Sequence, residues 1–405
     1  MSRVAFRILL AALLLGGGWL ALRLTVWKFP PPPGVVITHS LAPTGRYIGS
    51  PSFLVLPDGE YLASHDFFGP GSGEQSSGIT RIFSSKDRGK SWEFRSEVRG
   101  AFWSVLFAHR GAVYLLGVDR HSGSWIPKGI ARCLHKARVV TKSENSIVIR
   151  RSDDGGRSWT EPLDENTGRL KTGHYGFAPT PVIEHAGRLW RAQGAVGMMS
   201  VPVDADLLKA ASWRLADEQN PDKKPWFGGD FEGWGEGNAV VAPGGGIVNL
   251  AKVRYLKPGD DHAAIVSFDP DGKQASFDPA RDFVKMPGAR VKFTVRFDPV
   301  SGRYWALTNY LPPRYYGDRT DLRRNTVALV SSTDLREWRI DGIVLENPDT
   351  KYHGFQYLDW AIEGDDIIAA CRTAWPDGLG GPVRQHDANY LTFQRLKNFR
   401  SLSPL

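Results

Sequence analysis

From Tyr47 onward the chain repeats one hydropathy pattern: a short apolar run rich in Val, Ile, Phe and Trp, a polar turn built on glycine, and a second apolar run. Runs this short, bounded by glycine, predict strands joined as hairpins. The turns fall at Gly59 (Pro-Asp-Gly-Glu), Gly111 (His-Arg-Gly-Ala), Gly187 (His-Ala-Gly-Arg), Gly245 (Pro-Gly-Gly-Gly), Gly302 (Val-Ser-Gly-Arg) and Gly364 (Glu-Gly-Asp-Asp). A third run follows most hairpins, as in Ile79 to Ser84, Ser146 to Arg150, Ala263 to Phe268, Thr326 to Val330 and Ala388 to Phe393. Six such units predict an all-β, six-bladed propeller over residues 45–405, each blade a four-stranded meander in a ring that hides its sheet edges.

Strand alternation then sorts the connections between two ends of the ring. If the first-to-second turns point down, residues just before the first strand, just after the second and just before the third lie on top. Those places hold His65 and Asp66, His174 and Tyr175, Glu232 and Glu236, Arg254, Asn309 and Tyr310, Arg324 and Asn325, Tyr357 and Asp359, Arg372, and His386 and Asp387. So many ionisable and hydrogen-bonding groups at one end predict a polar funnel.

Composition adds a compartment. Residues 8–22 form an apolar run without charge, preceded by Arg3 and Arg7, and Leu24 to Trp27 extend it past Arg23. With no small-x-small cleavage site before Pro30 to Pro33, residues 1–28 read as an uncleaved signal anchor, a single transmembrane helix, and 29–44 as a stiff proline-rich linker. The propeller is then expected outside the cytoplasm, periplasmic or extracellular, touching the membrane only through that helix. The formal charge of +8 is spread through the chain and gathers locally at Lys128, Arg132, Lys136, Arg138 and Lys142, without the repeated aromatic interleaving of a nucleic-acid surface. No nucleic-acid partner is expected. The two cysteines, Cys133 and Cys371, lie in different repeats, and Cys371 sits in an apolar run as a buried free thiol. No His or Cys spacing fits a metal, and no cofactor is implied.

Two octapeptides, Ser85-Lys86-Asp87-Arg88-Gly89-Lys90-Ser91-Trp92 and Ser152-Asp153-Asp154-Gly155-Gly156-Arg157-Ser158-Trp159, share the template Ser-x-Asp-x-Gly-x-Ser-Trp. Ser332 to Trp338 keeps the Ser, Asp and Trp but is one residue shorter and lacks the Gly. The template reads as a hairpin turn in which Asp accepts the turn's own amides, Gly takes a left-handed conformation and Trp packs back under the blade. Carboxylates engaged this way are unavailable for proton transfer, so Asp87, Asp154 and Asp334 fall outside the candidate site. The template is the Asp box, and the chain resembles the sialidase (BNR repeat) superfamily of β-propellers.

The resemblance spans residues 45–400. It implies a six-bladed propeller with an arginine triad for a substrate carboxylate, a tyrosine nucleophile helped by a glutamate, and an aspartate acid/base. The segment from Glu236 to Arg254 is similar to the one that carries the helper glutamate and the second arginine, which puts Glu236 on the former and Arg254, or Lys252 in its place, on the latter. The segment from Arg324 to Asp334 resembles the one with the third arginine, Arg324. Gly49 stands where the first arginine belongs, and Phe355 where the tyrosine belongs, with Tyr357 or Tyr352 as substitutes nearby. Gly73-Glu74-Gln75-Ser76-Ser77 lacks the usual aspartate. The scaffold is kept and the site rebuilt.

A glycosidase needs two carboxyl groups flanking the bond, or a tyrosine nucleophile. Asp66, at a strand end beside His65 and two phenylalanines, is the first candidate acid/base, Glu236 the second and Asp387 the reserve. Tyr357 is the candidate nucleophile. His65, His174, Tyr175, Arg254, Arg324, Asn325, Arg372 and His386 are candidate substrate-binding residues. For the histidines the alternative is a packed imidazole, and for the arginines a blade-to-blade ion pair. The expected function is an exo-acting glycoside hydrolase on a carbohydrate, including an acidic one. A non-catalytic carbohydrate-binding propeller and a polysaccharide lyase using tyrosine and histidine stand as alternatives.

Overall fold

The computed structural model describes residues 30–69, 78–120, 145–173, 175–176, 178–194, 196–216, 226–255, 257–317 and 323–404. It shows six antiparallel sheets arranged as the blades of a propeller. Blade one is Tyr47–Val55, Tyr61–Phe68, Ile79–Ser85 and Glu93–Arg99, and the next four blades repeat that order, with a fifth strand, Phe283–Lys285, added in blade four beside His262–Phe268. The anchor expected at 1–28 lies outside the described residues, and among those described no helix is long and apolar enough to cross a membrane.

All six glycines named above sit between the first and second strands of a blade, with φ from +61° to +85°. A Cβ at any of them would meet open space. Backbone conformation alone therefore selects glycine there.

Successive residues of a strand face opposite neighbours, and in a propeller both neighbours are blades. Tyr61 and Ala63 pack with Ile368 and Ala370 of blade six, while Leu62 packs with Leu106 and Leu115 of blade two. Both faces are thus buried, which is why the strands read as continuous apolar runs. Cys371 lies in the packing between blades five and six, where burial pushes its thiol up to about 12. Cys133 is outside the described residues.

The ring closes differently from the expected boundary. Val35–His39, assigned above to the linker, pairs with Tyr390–Leu396 and supplies the outer strand of blade six. Ile37 on that strand joins the core between blades six and one. The propeller therefore begins at Val35.

In the first Asp-containing turn, the Ser91 amide and hydroxyl donate to Asp87 at 2.9 and 2.6 Å, and Ser85 donates at 2.8 Å. Gly89 has φ +86°, and a Cβ on it would strike the Phe393 ring. The second turn repeats this with Ser158, Arg157 and Ser152 around Asp154. In the third, Leu335 takes the left-handed position at φ +67° without glycine. Arg88 of the first turn bonds Glu363 beside Gly364, and Arg95 beside the Gly59 turn bonds the Gly155 carbonyl. The Asp turns and the first-to-second turns share one end of the ring.

Two outcomes follow from closure and from these turns. A chain beginning at residue 30 should fold, whereas one beginning at residue 41 should melt at least about 5 °C lower, because Tyr390–Leu396 becomes an open edge. Calorimetry beside size-exclusion chromatography measures this, and equal melting temperatures would show that the ring closes without Val35–His39. Hydrogen bonds from Ser91 above all hold the Asp87 carboxyl down to about 2. Its contribution to stability is present above the ordinary carboxylate value and lost as pH falls toward about 2. The gap between the wild type and Asp87→Asn in urea unfolding should therefore shrink from about pH 6 to about pH 2.5. A gap independent of pH would refute the turn's ionic character.

Candidate active site

The inner strands are bulged near the end opposite the Asp turns. Pairing shifts between Gly49 and Ser52 in blade one, Phe102 and Val105 in blade two, Trp234 and Gly237 in blade four, and Gln356 and Asp359 in blade six. A bulge adds a residue and re-aims its side chain. In three of these the added residue is a left-handed non-glycine: Ser50 at φ +49°, Trp103 at +49° and Tyr357 at +56°.

Tyr357 and Glu236 come from bulges in blades six and four and meet across the ring. The Tyr357 hydroxyl donates to Glu236 Oε1 at 3.4 Å, and Lys252 donates to Oε2 at 3.1 Å. Burial alone would raise the Glu236 carboxyl. The positive charges of Lys252 and Lys292 outweigh it and hold Glu236 below its ordinary value. Lys292 is itself buried, donating to Thr294 Oγ1 at 2.9 Å, and burial lowers its ammonium to about 8.

Two guanidinium groups cover the tyrosine ring. Arg324 and Arg372 each lie 5.4 Å from its centroid. Arg324 donates to Gln356 Oε1 at 2.6 Å, while Arg372 donates to the His386 carbonyl and leaves a buried Nε without a partner. Burial draws Arg372 below its ordinary value.

His386 and Asp387 stand beside Arg372. Asp387 accepts His386 Nδ1 at 2.8 Å and Arg384 Nε at 3.0 Å, which overcomes its burial and keeps it ionised. Burial lowers the His386 imidazole to about 4. Asp387 is thus an acceptor that orients His386.

Other sequence candidates lie elsewhere. Asp66 is 1% exposed, and its two oxygens take the Thr80 hydroxyl at 2.6 Å and the Trp103 amide at 2.7 Å. Burial raises it to about 7, but with 1% exposure and both oxygens engaged by blades one and two it is closed to a substrate, which argues against the proton donor expected above. His65 is fully buried, stacked on Phe83 and pushed down to about 4 by burial. It is a packed imidazole. Arg254 is exposed at the end of its strand, and Lys252 takes the place beside Glu236. Asn325 is buried and donates to the Asn347 carbonyl at 2.7 Å, tying two strands of blade five. Tyr175 sits at the rim by Phe68 and Trp103. His174 and residues 73–77 lie outside the described residues.

Sequence reasoning missed Lys292 and Trp103. A lone lysine in the run Ala289-Arg290-Val291-Lys292-Phe293 was the available signal for the first. A cavity of about 890 Å³ opens at the other end, lined by Val241, Val295, Phe297 and Ile362 together with Glu184, Arg296, Asp298 and Arg400. It holds none of the candidate residues, and its Asp298 is already held by Arg400 at 2.7 Å, while Tyr357, Glu236, Lys252 and the two arginines meet at the funnel end.

No family model matches the chain, and no curated protein matches it. Among solved structures, the chain is similar to the α-L-arabinanase of Penicillium chrysogenum complexed with arabinobiose, at TM-score 0.51 and 14% identity, covering 92% of this chain and 100% of that one. It is similar to the GH93 α-L-arabinofuranosidase of Fusarium graminearum with arabinobiose (TM-score 0.52, 13% identity, 90% and 96% covered). A third is the intramolecular trans-sialidase of Ruminococcus gnavus with oseltamivir carboxylate (TM-score 0.53, 13% identity, 91% and 98% covered). The chain shares their six-bladed fold.

Within that fold the two departures expected from sequence have physical causes. A Cβ on Gly49 would lie 2.1 Å from the Phe68 ring, so no arginine fits there. Phe355 is 1% exposed in the core between blades five and six.

Replacing Lys252 with Met should release Glu236 from its main counter-charge, and its carboxyl should then titrate above the ordinary glutamate value because burial dominates. Carbon-13 NMR of labelled glutamate reads this directly. An unchanged titration would show that Lys252 does not set the charge of Glu236.

Proposed function

We propose that the chain is an exo-acting glycoside hydrolase working on a sugar outside the cytoplasm, with Tyr357 as nucleophile and Glu236 as its base. The Tyr357–Glu236 contact beneath two guanidinium groups carries this reading. An ionised Glu236 accepts the phenolic proton as the tyrosine oxygen bonds to the anomeric carbon; the glycosidic bond breaks and its departing oxygen takes a proton from solvent water, after which a second water attacks the anomeric carbon, releases its proton to solvent and displaces the tyrosine oxygen, to which Glu236 returns the phenolic proton. Arg324 and Arg372 stabilise the charge on that oxygen and give an acidic sugar a place for its carboxylate. The likeness in fold to hydrolases that bind arabinobiose supports a carbohydrate substrate. A floor of buried side chains beneath the funnel favours chain ends over mid-chain binding.

One observation favours a second reading, a carbohydrate-binding propeller without turnover. Among the described residues, the funnel carboxyls Glu236 and Asp387 are both held ionised, and Asp66, the one raised to about 7, is sealed from the funnel. Incubation with a glycan panel separates the cases. A new reducing end without an ultraviolet-absorbing double bond means hydrolysis, an unsaturated product means elimination, and saturable binding alone means the second reading.

If hydrolysis is seen, Tyr357→Phe and Glu236→Gln should each retain the fold and cut turnover at least about a hundredfold. Activity should also fall as pH drops through the depressed Glu236 value. Arg324→Ala should weaken a carboxylated sugar much more than its neutral analogue. Full turnover in both Tyr357→Phe and Glu236→Gln would sink the catalytic pair, and equal losses for the two ligands would make Arg324 structural.

A further inference from the structure

We infer that Trp103 is a stacking platform for a sugar ring bound in the funnel, a specificity-determining residue that rests on the carbohydrate reading above. Its position is built, at some cost. Trp103 is the added residue of the bulge in blade two, the counterpart in register of Tyr357 in blade six. It holds φ +49°, a conformation that is strained for a bulky side chain and persists only where the surroundings fix it.

Three features fix it. Its amide donates to the buried Asp66 carboxylate at 2.7 Å, and Asp66 is held in turn by Thr80 at 2.6 Å. Phe102 supports the indole at 4.7 Å between ring centroids. Gly176 leaves the notch it needs, since a Cβ there would lie 2.1 Å from the indole. The ring nevertheless stays partly open to solvent. An indole that only filled the core would be sealed and would need no left-handed backbone. A partly exposed indole, packed on the cluster whose Phe68 ring lies under the same Arg372 guanidinium that covers Tyr357, offers the flat apolar face that the C–H side of a sugar ring covers.

The same geometry explains Asp66: it positions Trp103 and does not touch substrate.

The test uses the whole propeller labelled with 5-fluorotryptophan. The Trp103 fluorine resonance is the one lost in Trp103→Phe. Arabinobiose and N-acetylneuraminic acid are titrated as probes by fluorine NMR and by calorimetry. The resonance should move saturably, with the same Kd that calorimetry gives. Trp103→Ala should weaken binding at least about tenfold and Trp103→Phe much less. Binding by calorimetry with an unmoved Trp103 resonance and an affinity unchanged in Trp103→Ala would overturn the platform while leaving the carbohydrate reading standing. Silence from both probes and from a wider glycan panel would count against the carbohydrate reading, and the platform would fall with it.

Discussion

Six twisted sheets can close into a ring only if the inner strands, which meet edge to edge around the axis, find partners for backbone groups that water cannot reach. Side chains do this here. Asp359 accepts the Phe53 amide at 2.9 Å and the Ser52 hydroxyl at 3.1 Å, joining blade six to blade one. Ser52 accepts the Leu106 amide of blade two. Asn238 of blade four bonds both the Phe293 carbonyl and the Val295 amide of blade five, and Thr294 donates to the Leu358 carbonyl of blade six. This girdle is buried and polar. It is also the floor on which the bulges stand, so the placement of Tyr357, Glu236 and Trp103 depends on it.

The two ends of the ring use carboxylates in opposite ways. At the turn end, Asp87 and Asp154 are surrounded by short-range donors from their own loops and serve only to fold them. At the funnel end, Glu236 is held by Lys252 and Lys292 from other strands and blades, and those charges leave one oxygen to a tyrosine hydroxyl. A carboxylate satisfied locally is structural. One satisfied across the ring is positioned, and its charge answers to changes elsewhere.

Legibility followed the range of each interaction. The turn glycines were readable because a left-handed backbone is a local demand that few residues meet. Tyr357 and Glu236 could be assigned to one end because successive strands of a meander run in opposite directions, which fixes the end at which each connection lies. Val35–His39 was not, because its partner, Tyr390–Leu396, lies at the far end of the chain and nothing local distinguishes five such residues from a linker. Asp66 was misassigned for a related reason. A strand-end carboxylate looks open until the neighbouring blade turns an amide toward it, and that bulge leaves no mark near Asp66 in sequence. Lys292 stayed hidden because its counter-charges, Glu236 and Asp359, come from other blades.

Closure by Val35–His39 also sets an order of events during synthesis. These residues leave the ribosome long before Tyr390–Leu396 exists, so the strand must remain unpaired while the other blades form. Until the last meander arrives, the nascent protein is an open arc with two uncovered flanks, the inner faces of blades one and five. Pairing so distant in sequence belongs to the slow, high-contact-order end of folding. The finished ring hides its edges, yet the arc that precedes it is the species most exposed to association with its own kind.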